Sequence, residues 1–413
     1  MPSLRLAAVL LIGFVLRVGL CAYHPFAAYA GTRLELSTPV TSWKALQEGI
    51  YLYDQGLDPY EGTIFRQAPL LLMLFRAIPE YFVPATFALA DLGTALALVG
   101  VAYIKNKDRK EAPLDPWWIA LIVLMNPLSV LSTAARSTTC LSNLCLALAL
   151  LGAASGSVVS AACAFSFSMH LSMPIILLPA LVVLLNRAQK ESMSTTIKQV
   201  LPVLLVHQGS LLFASRIYTD SWTFLRTYAA PLVVQDLTPN IGLYWYFFIE
   251  MFDHFRNFFL LVFQAHLACY ALPITLKLRF NPLLAFTVLA GIFSTFKAYP
   301  SVGDTAFYHS LLALHPELAP HMRHPLFTIM AHLYTLLLLP IFHYLWLYAG
   351  SGNSNFYYAS TLVWALANGL GVMDTLSAGV KRRFLWELKQ EGHEALQEDW
   401  ETPNKEDWTL VNQ

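Results

Sequence analysis

Up to Val380 the chain is apolar enough to sit in lipid almost everywhere, in long runs broken by short polar interruptions. A helix that crosses a bilayer needs roughly 20 apolar residues. Measured against that length, the pattern predicts about twelve spans, at 4–23, 82–104, 117–134, 140–156, 158–170, 171–185, 200–217, 255–276, 282–296, 304–318, 326–349 and 356–380. Those at 158–170, 171–185 and 304–318 are short enough to be broken or re-entrant. The longest early departure from the pattern is 30–65, where charge and turn residues gather into a folded loop outside the bilayer. The expected fold is therefore an all-α polytopic membrane protein with a large first loop.

Composition supports that class, with 56% hydrophobic and 13% charged residues. Formal net charge is +0, which gives a nucleic-acid partner no electrostatic support. The cysteines (Cys21, Cys140, Cys145, Cys163, Cys269) lie in or beside apolar runs without a CxxC, so neither a disulfide framework nor a zinc site is indicated. Charge placement orients the bundle by the positive-inside rule. Lys105, Lys107, Arg109 and Lys110, then Arg187 and Lys190, then Lys277 and Arg279, then Lys381, Arg382 and Arg383 all fall on the side of the N-terminus when twelve spans are counted. That side is cytosolic, with both termini on it. The lumenal side receives 30–65, 136–139, an interfacial segment at 218–254, 299–303 and 350–355. Residues 1–380 form one multispanning domain, and 381–413 an acidic cytosolic tail with too little apolar surface to fold alone. Arg5 before the first apolar core and Ala28-Tyr29-Ala30 after it imitate a cleavable signal, but Arg17 interrupts that core and the topology needs the span retained.

Catalytic motifs are missing. There is no HExxH, GxSxG or P-loop. His315, His321 and His324 beside Glu317 have a metal-like spacing, but Pro316, Pro320 and Pro325 break any helix that would align them. A sugar-transferring first loop needs paired carboxylates, and Arg33-Leu34-Glu35-Leu36-Ser37-Thr38-Pro39 offers none. Asp54 and Asp58 are the nearest substitute, and Asp58-Pro59-Tyr60-Glu61-Gly62 is also plain turn chemistry.

Three lumenal segments are polar at the membrane surface. Gly350-Ser351-Gly352-Asn353-Ser354-Asn355-Phe356 offers amide donors and acceptors suited to phosphate and sugar hydroxyls, or else a tight hairpin in which Asn353 or Ser354 caps the next helix. The segment from Asp236 through Asn240, Trp245 and Tyr246 to Phe248 reads as an interfacial platform for lipid or partner, or as an aromatic belt. Lys297 and Asp304 put opposite charges at neighbouring helix ends, where ionisable groups are functional candidates by default.

Ser42-Trp43-Lys44 with Glu48-Gly49, Asp58-Pro59-Tyr60, Asn126-Pro127, the run from Asp236 to Leu243 with Trp245-Tyr246-Phe247-Phe248, Tyr299-Pro300 with Val302-Gly303-Asp304, and Asn353-Ser354-Asn355-Phe356 occur in this order. Together they resemble the PIG-U family, a multispanning subunit of the glycosylphosphatidylinositol (GPI) transamidase. That family is itself similar to the GPI mannosyltransferases, so the resemblance implies a scaffold like that of the lipid-linked-sugar glycosyltransferases (GT-C-like) with a large first lumenal loop. The resemblance implies a five-subunit complex of the endoplasmic reticulum membrane, with PIG-K as caspase-like catalytic subunit beside PIG-S, PIG-T and an aminopeptidase-like subunit. It implies a non-catalytic role without cofactor or metal: binding the GPI lipid and presenting its ethanolamine amine for attachment to proprotein C-termini. Asn353, Ser354, Asn355 and Phe356 would contact GPI, with Asp236, Asn240, Trp245, Tyr246, Lys297 and Asp304 as further lipid or partner contacts. Gly352 stands where family members often carry Ala, expected to be a harmless change. Two alternatives remain: a dolichol-phosphate-mannose-dependent mannosyltransferase using Asp54, Asp58 or Glu35 as base, and a purely architectural scaffold.

Overall fold

The computed structural model describes residues 2–107 and 114–390, which hold helices and no strand. In chain order the helices are α1 (Pro2–Ala22), α2 (His24–Gly31), α3 (Trp43–Asp54), α4 (Pro69–Ala77), α5 (Val83–Lys107), α6 (Pro116–Leu124), α7 (Pro127–Ala134), α8 (Thr139–Ala154), α9 (Val158–Ser172), α10 (Leu178–Gln189), α11 (Met193–Thr219), α12 (Arg226–Val233), α13 (Tyr244–Glu250), α14 (Asp253–Cys269), α15 (Ala271–Lys277), α16 (Pro282–Phe296), α17 (Val302–Leu312), α18 (Pro325–Leu347) and α19 (Ser354–Gln390). Many begin where the sequence says they should. Proline occupies the first helical position of α4, α6, α7, α16 and α18, where its missing N–H costs nothing. Ser42, Asn126, Ser157, Ser192 and Asn281 accept backbone N–H groups as caps.

Among the described residues five helices are long and apolar enough to cross a membrane, at Leu4–Ala22, Glu80–Lys107, Met193–Thr219, Asp253–Lys277 and Pro325–Leu347, and a sixth is obtained if one bent pair counts as a single span. That pair differs from the sequence expectation. The run at 117–134 is not one helix but α6 and α7, bent by 52°. Pro127 has no N–H to continue the ladder, and Asn126 turns its side chain to cap Leu128. The carbonyl freed at Leu124 is taken by Arg17 Nη1 at 2.7 Å, while Nε pairs with Asp91 at 2.7 Å. Arg17, fully buried, thus closes a break in a neighbouring helix. Two other runs are also divided: 171–185 breaks at Met173-Pro174 ahead of α10, and of 304–318 only the part in α17 is α-helical, followed by a 3-10 turn at Pro316–His321. At 1.5 Å per residue α17 reaches about 16 Å, half a hydrocarbon core.

Helix α16 is the centre of the bundle, since only its last residue escapes burial, as expected of a helix apolar on every face. It lies against α17, α19 and α10, while α8 packs against both α5 and α9, and α18 pairs with α19. By contrast α14 buries only Leu267. The loop at 30–65 holds α3, whose Trp43 ring packs edge-on against Phe75 and Phe87. Helix α19 continues past Val380 through Lys381-Arg382-Arg383 to Gln390. Arg109, Lys110 and the acidic tail from Glu391 on lie outside the described residues.

Candidate headgroup-binding site

The turn between α18 and α19 is built as a hairpin. Gly350 takes φ +65°, and the N–H groups of Ser351 and Gly352 both donate to the Leu345 carbonyl, at 3.1 and 2.9 Å. A Cβ at Gly352 would come within 3.2 Å of the Leu345 backbone, so an Ala there would press on the preceding helix. Asn353 Oδ1 then accepts the N–H groups of Asn355 at 3.1 Å and Phe356 at 3.3 Å, capping α19. Those two bonds fix which end of the amide is oxygen and leave the NH2 of Asn353 facing out. Asn355 is likewise exposed, and its Oδ1 accepts the Tyr246 hydroxyl. The hairpin is the one the sequence allowed, in which oxygens serve the fold and two amide NH2 groups remain as donors at the surface.

Behind them stands an aromatic wall. Trp245 is 1% exposed, with ring centroids 6.4 Å from Trp346, 6.0 Å from Tyr357 and 5.7 Å from Tyr358. Tyr246 stacks on Tyr358 at 4.5 Å, and the Tyr358 hydroxyl donates to the Leu243 carbonyl. Helix α13 is held by these rings against α18 and α19, so two segments far apart in sequence form one surface. Phe356 is half exposed and stacks on Phe342. Trp346, Tyr357 and Tyr358 escaped the sequence reading because each sits inside an apolar run with no local signal.

Other candidates are used within the chain. Asp236 Oδ1 accepts the Thr238 N–H and hydroxyl, and its carbonyl accepts the Tyr299 hydroxyl at 2.9 Å. Asn240 is wholly buried and spends both ends of its amide on its own turn, to Gly242 N and Thr238 O. Lys297 pairs with Asp304 at 2.6 Å, while the other carboxylate oxygen of Asp304 accepts the Ser301 N–H in a capping box at the start of α17.

The acidic residues of the first loop are occupied separately. Glu35 pairs with Arg33 at 3.0 Å beside His343, and Asp54 pairs with Arg76 at 2.6 Å. Asp58 accepts Tyr60 N and the Thr223 hydroxyl, the turn geometry its sequence implies. Glu317 receives Lys105 at 2.7 Å with His315 at 3.5 Å. Among the described residues no three His, Cys, Asp or Glu side chains are grouped to hold a metal.

Comparison with known proteins decides the family. The profile described as "GPI transamidase subunit PIG-U" matches residues 11–364. This chain belongs to the PIG-U family. Curated relatives include the GPI transamidase component GAB1 homolog of Schizosaccharomyces pombe, 34% identical over 387 residues, covering 91% of this chain and 93% of that protein. The GPI-anchor transamidase component PIGU of Homo sapiens is 32% identical over 440 residues, with coverage of 95% and 98%. GPI transamidase component GAB1 of Saccharomyces cerevisiae is 36% identical over 341 residues, with coverage of 81% and 84%. The matched PIG-U region includes the whole hairpin, the capping asparagine and the aromatic wall.

Proposed function

We propose that this PIG-U-family chain is a non-catalytic subunit of GPI transamidase in the endoplasmic reticulum membrane, binding the GPI lipid and presenting it for attachment to proprotein C-termini. Its relatives are named as components of that complex. The observation that carries the reading is the pair of outward amide NH2 groups, Asn353 and Asn355, held by a cap and by Tyr246 above a packed aromatic wall. Donors held in advance are suited to phosphate and sugar oxygens, because binding then spends little on ordering them. Ser354 and Phe356 flank them at the headgroup, Trp245 and Tyr246 support them, and apolar helices nearby receive the acyl chains. Asp236, Asn240, Lys297 and Asp304 shape the ground on which the site stands.

Presentation raises the effective concentration and orientation of the ethanolamine amine at a catalytic subunit, the caspase-like PIG-K, with PIG-S, PIG-T and the aminopeptidase-like subunit completing the complex. The same reading keeps twelve crossings on a GT-C-like scaffold, with the hairpin lumenal and both termini cytosolic. In cells lacking the endogenous chain, Asn353→Ala/Asn355→Ala is expected to lose surface display of GPI-anchored reporters while still co-purifying PIG-K. Full rescue of display by this variant overturns the site, and lost co-purification makes the chain a scaffold.

A further inference from the structure

Three arginines, none hydrogen-bonded to a carboxylate among the described residues, gather where the first loop meets α12 and α14. Arg66 is 9% exposed, and its one hydrogen bond runs from Nη1 to the carbonyl of its own neighbour Phe65, at 3.0 Å. Arg226 donates Nη1 to the carbonyls of Tyr60 at 3.2 Å and Glu61 at 3.1 Å, which draws the stretch before Arg66 against α12. One residue further along both segments, the Thr227 hydroxyl donates to the Gln67 carbonyl. Arg256, on α14, donates Nη2 to the Val234 carbonyl at 2.5 Å and lies over the Phe248 ring at 5.2 Å. Every acceptor here is a neutral carbonyl.

The carboxylates of the nearby acids make no hydrogen bond to these arginines. Asp58 is held by Tyr60 N and Thr223, and Asp236 by Thr238. Glu61 offers Arg226 its carbonyl. Burial pulls the Arg66 guanidinium below its ordinary pKa and the charge of Arg226 adds to the effect, only partly offset by Asp236 and Tyr299. A guanidinium buried beside a second cation and bonded only to a carbonyl is costly unless an anion completes the site, and the planar fork of Arg fits a phosphate.

We infer that Arg66, Arg226 and Arg256 form a phosphate-binding site, taking a phosphate of the glycolipid headgroup at a second point away from the asparagines. Helix α13 connects the two places. Its Tyr246 hydroxyl holds Asn355, while its Phe248 lies under Arg256 and packs in one cluster with Tyr299. The site itself stands on the arginines; only the source of the phosphate rests on the lipid-presenting reading above.

The test uses the detergent-purified complex containing the full chain, titrated with glucosaminyl-phosphatidylinositol, phosphoethanolamine and inorganic phosphate, and compares wild type with Arg226→Gln/Arg256→Gln and with Arg66→Gln. The expected result is at least tenfold weaker binding of the glycolipid in both variants, with the complex still assembled in the double variant and a shallower salt dependence. Unchanged glycolipid binding in the double variant overturns the inference. Inorganic phosphate bound as tightly as the headgroup probes overturns the lipid source and leaves a free-anion site. Loss of a partner subunit with glycolipid binding retained assigns the arginines to a partner's carboxylates and equally overturns it. Asn353→Ala/Asn355→Ala, titrated in parallel, separates the two readings: unchanged glycolipid binding there, with weakened binding in the arginine variants, refutes the asparagine site alone.

Discussion

Asn353 caps α19 with its oxygen and is proposed to bind the headgroup with its NH2, and substitutions can separate the two. Asn353→Asp keeps an oxygen to cap α19, in a position where the helix dipole favours negative charge, but removes the outward donor. Thermal stability in detergent is expected to hold within about 0.5 kcal/mol, while GPI-anchored display falls. Asn353→Ala loses the cap as well and is expected to cost about 1 kcal/mol of stability. Arg17 is a second residue whose role is now defined. Arg17→Met leaves Asp91 unpaired and the Leu124 carbonyl open, with an expected loss of about 3–5 kcal/mol in thermal unfolding. Arg17→Met/Asp91→Leu is expected to recover much of it. In the sequence Arg17 was visible only as an interruption of an apolar core, because its partner lies 74 residues away. For Lys297 and Asp304 the sequence showed two opposite charges at adjoining helix ends, seven residues apart, but not that they pair with each other.

At the level of elements, helix starts were legible, and so were the breaks in 171–185 and 304–318, which are too short to cross unbroken; the break inside 117–134 was not. Proline and capping residues are local signals, so α16 begins and ends where its apolar run does. Asn126-Pro127 sits inside a continuous apolar run, and hydropathy alone could not show that the chain bends there. The joining of α13 to the hairpin was also beyond the sequence, because the contact of Tyr246 with Asn355 spans 109 positions. Close packing makes its own prediction. A Cβ on Gly152 of α8 would come within 2.5 Å of the Ala161 backbone in α9, whereas Gly209 of α11 has open space around it. Gly152→Val is expected to destabilise by about 1–3 kcal/mol more than Gly209→Val, read as the difference in melting temperature in the same micelle.

For the whole molecule, composition revealed the class and the run of quoted motifs revealed the family, while the number of crossings is a matter of geometry. Several apolar helices, among them α8, α9 and α16, are shorter than a bilayer is thick. Counting runs gives twelve; counting helices by length and composition gives five or six. The proposed topology is tested by glycosylation mapping. An N-glycan acceptor inserted at 350–355 is expected to be modified and one at 277–281 to stay unmodified; the opposite pattern would invert the bundle. The surface also divides, with α14 and α18 showing broad apolar faces and α16 enclosed by its neighbours.

The most direct measurement is site-specific photo-cross-linking. A photoreactive phenylalanine replaces Phe356 in the hairpin or, as control, Leu205 on the exposed face of α11, and the chain is irradiated within the assembled complex in cells supplied with radiolabelled GPI precursor. A GPI adduct at position 356, with little at 205 and less after Asn353→Asp, is the predicted result. Equal labelling at both positions, or none at 356 in an active complex, would contradict the hairpin as the place where the lipid headgroup is held.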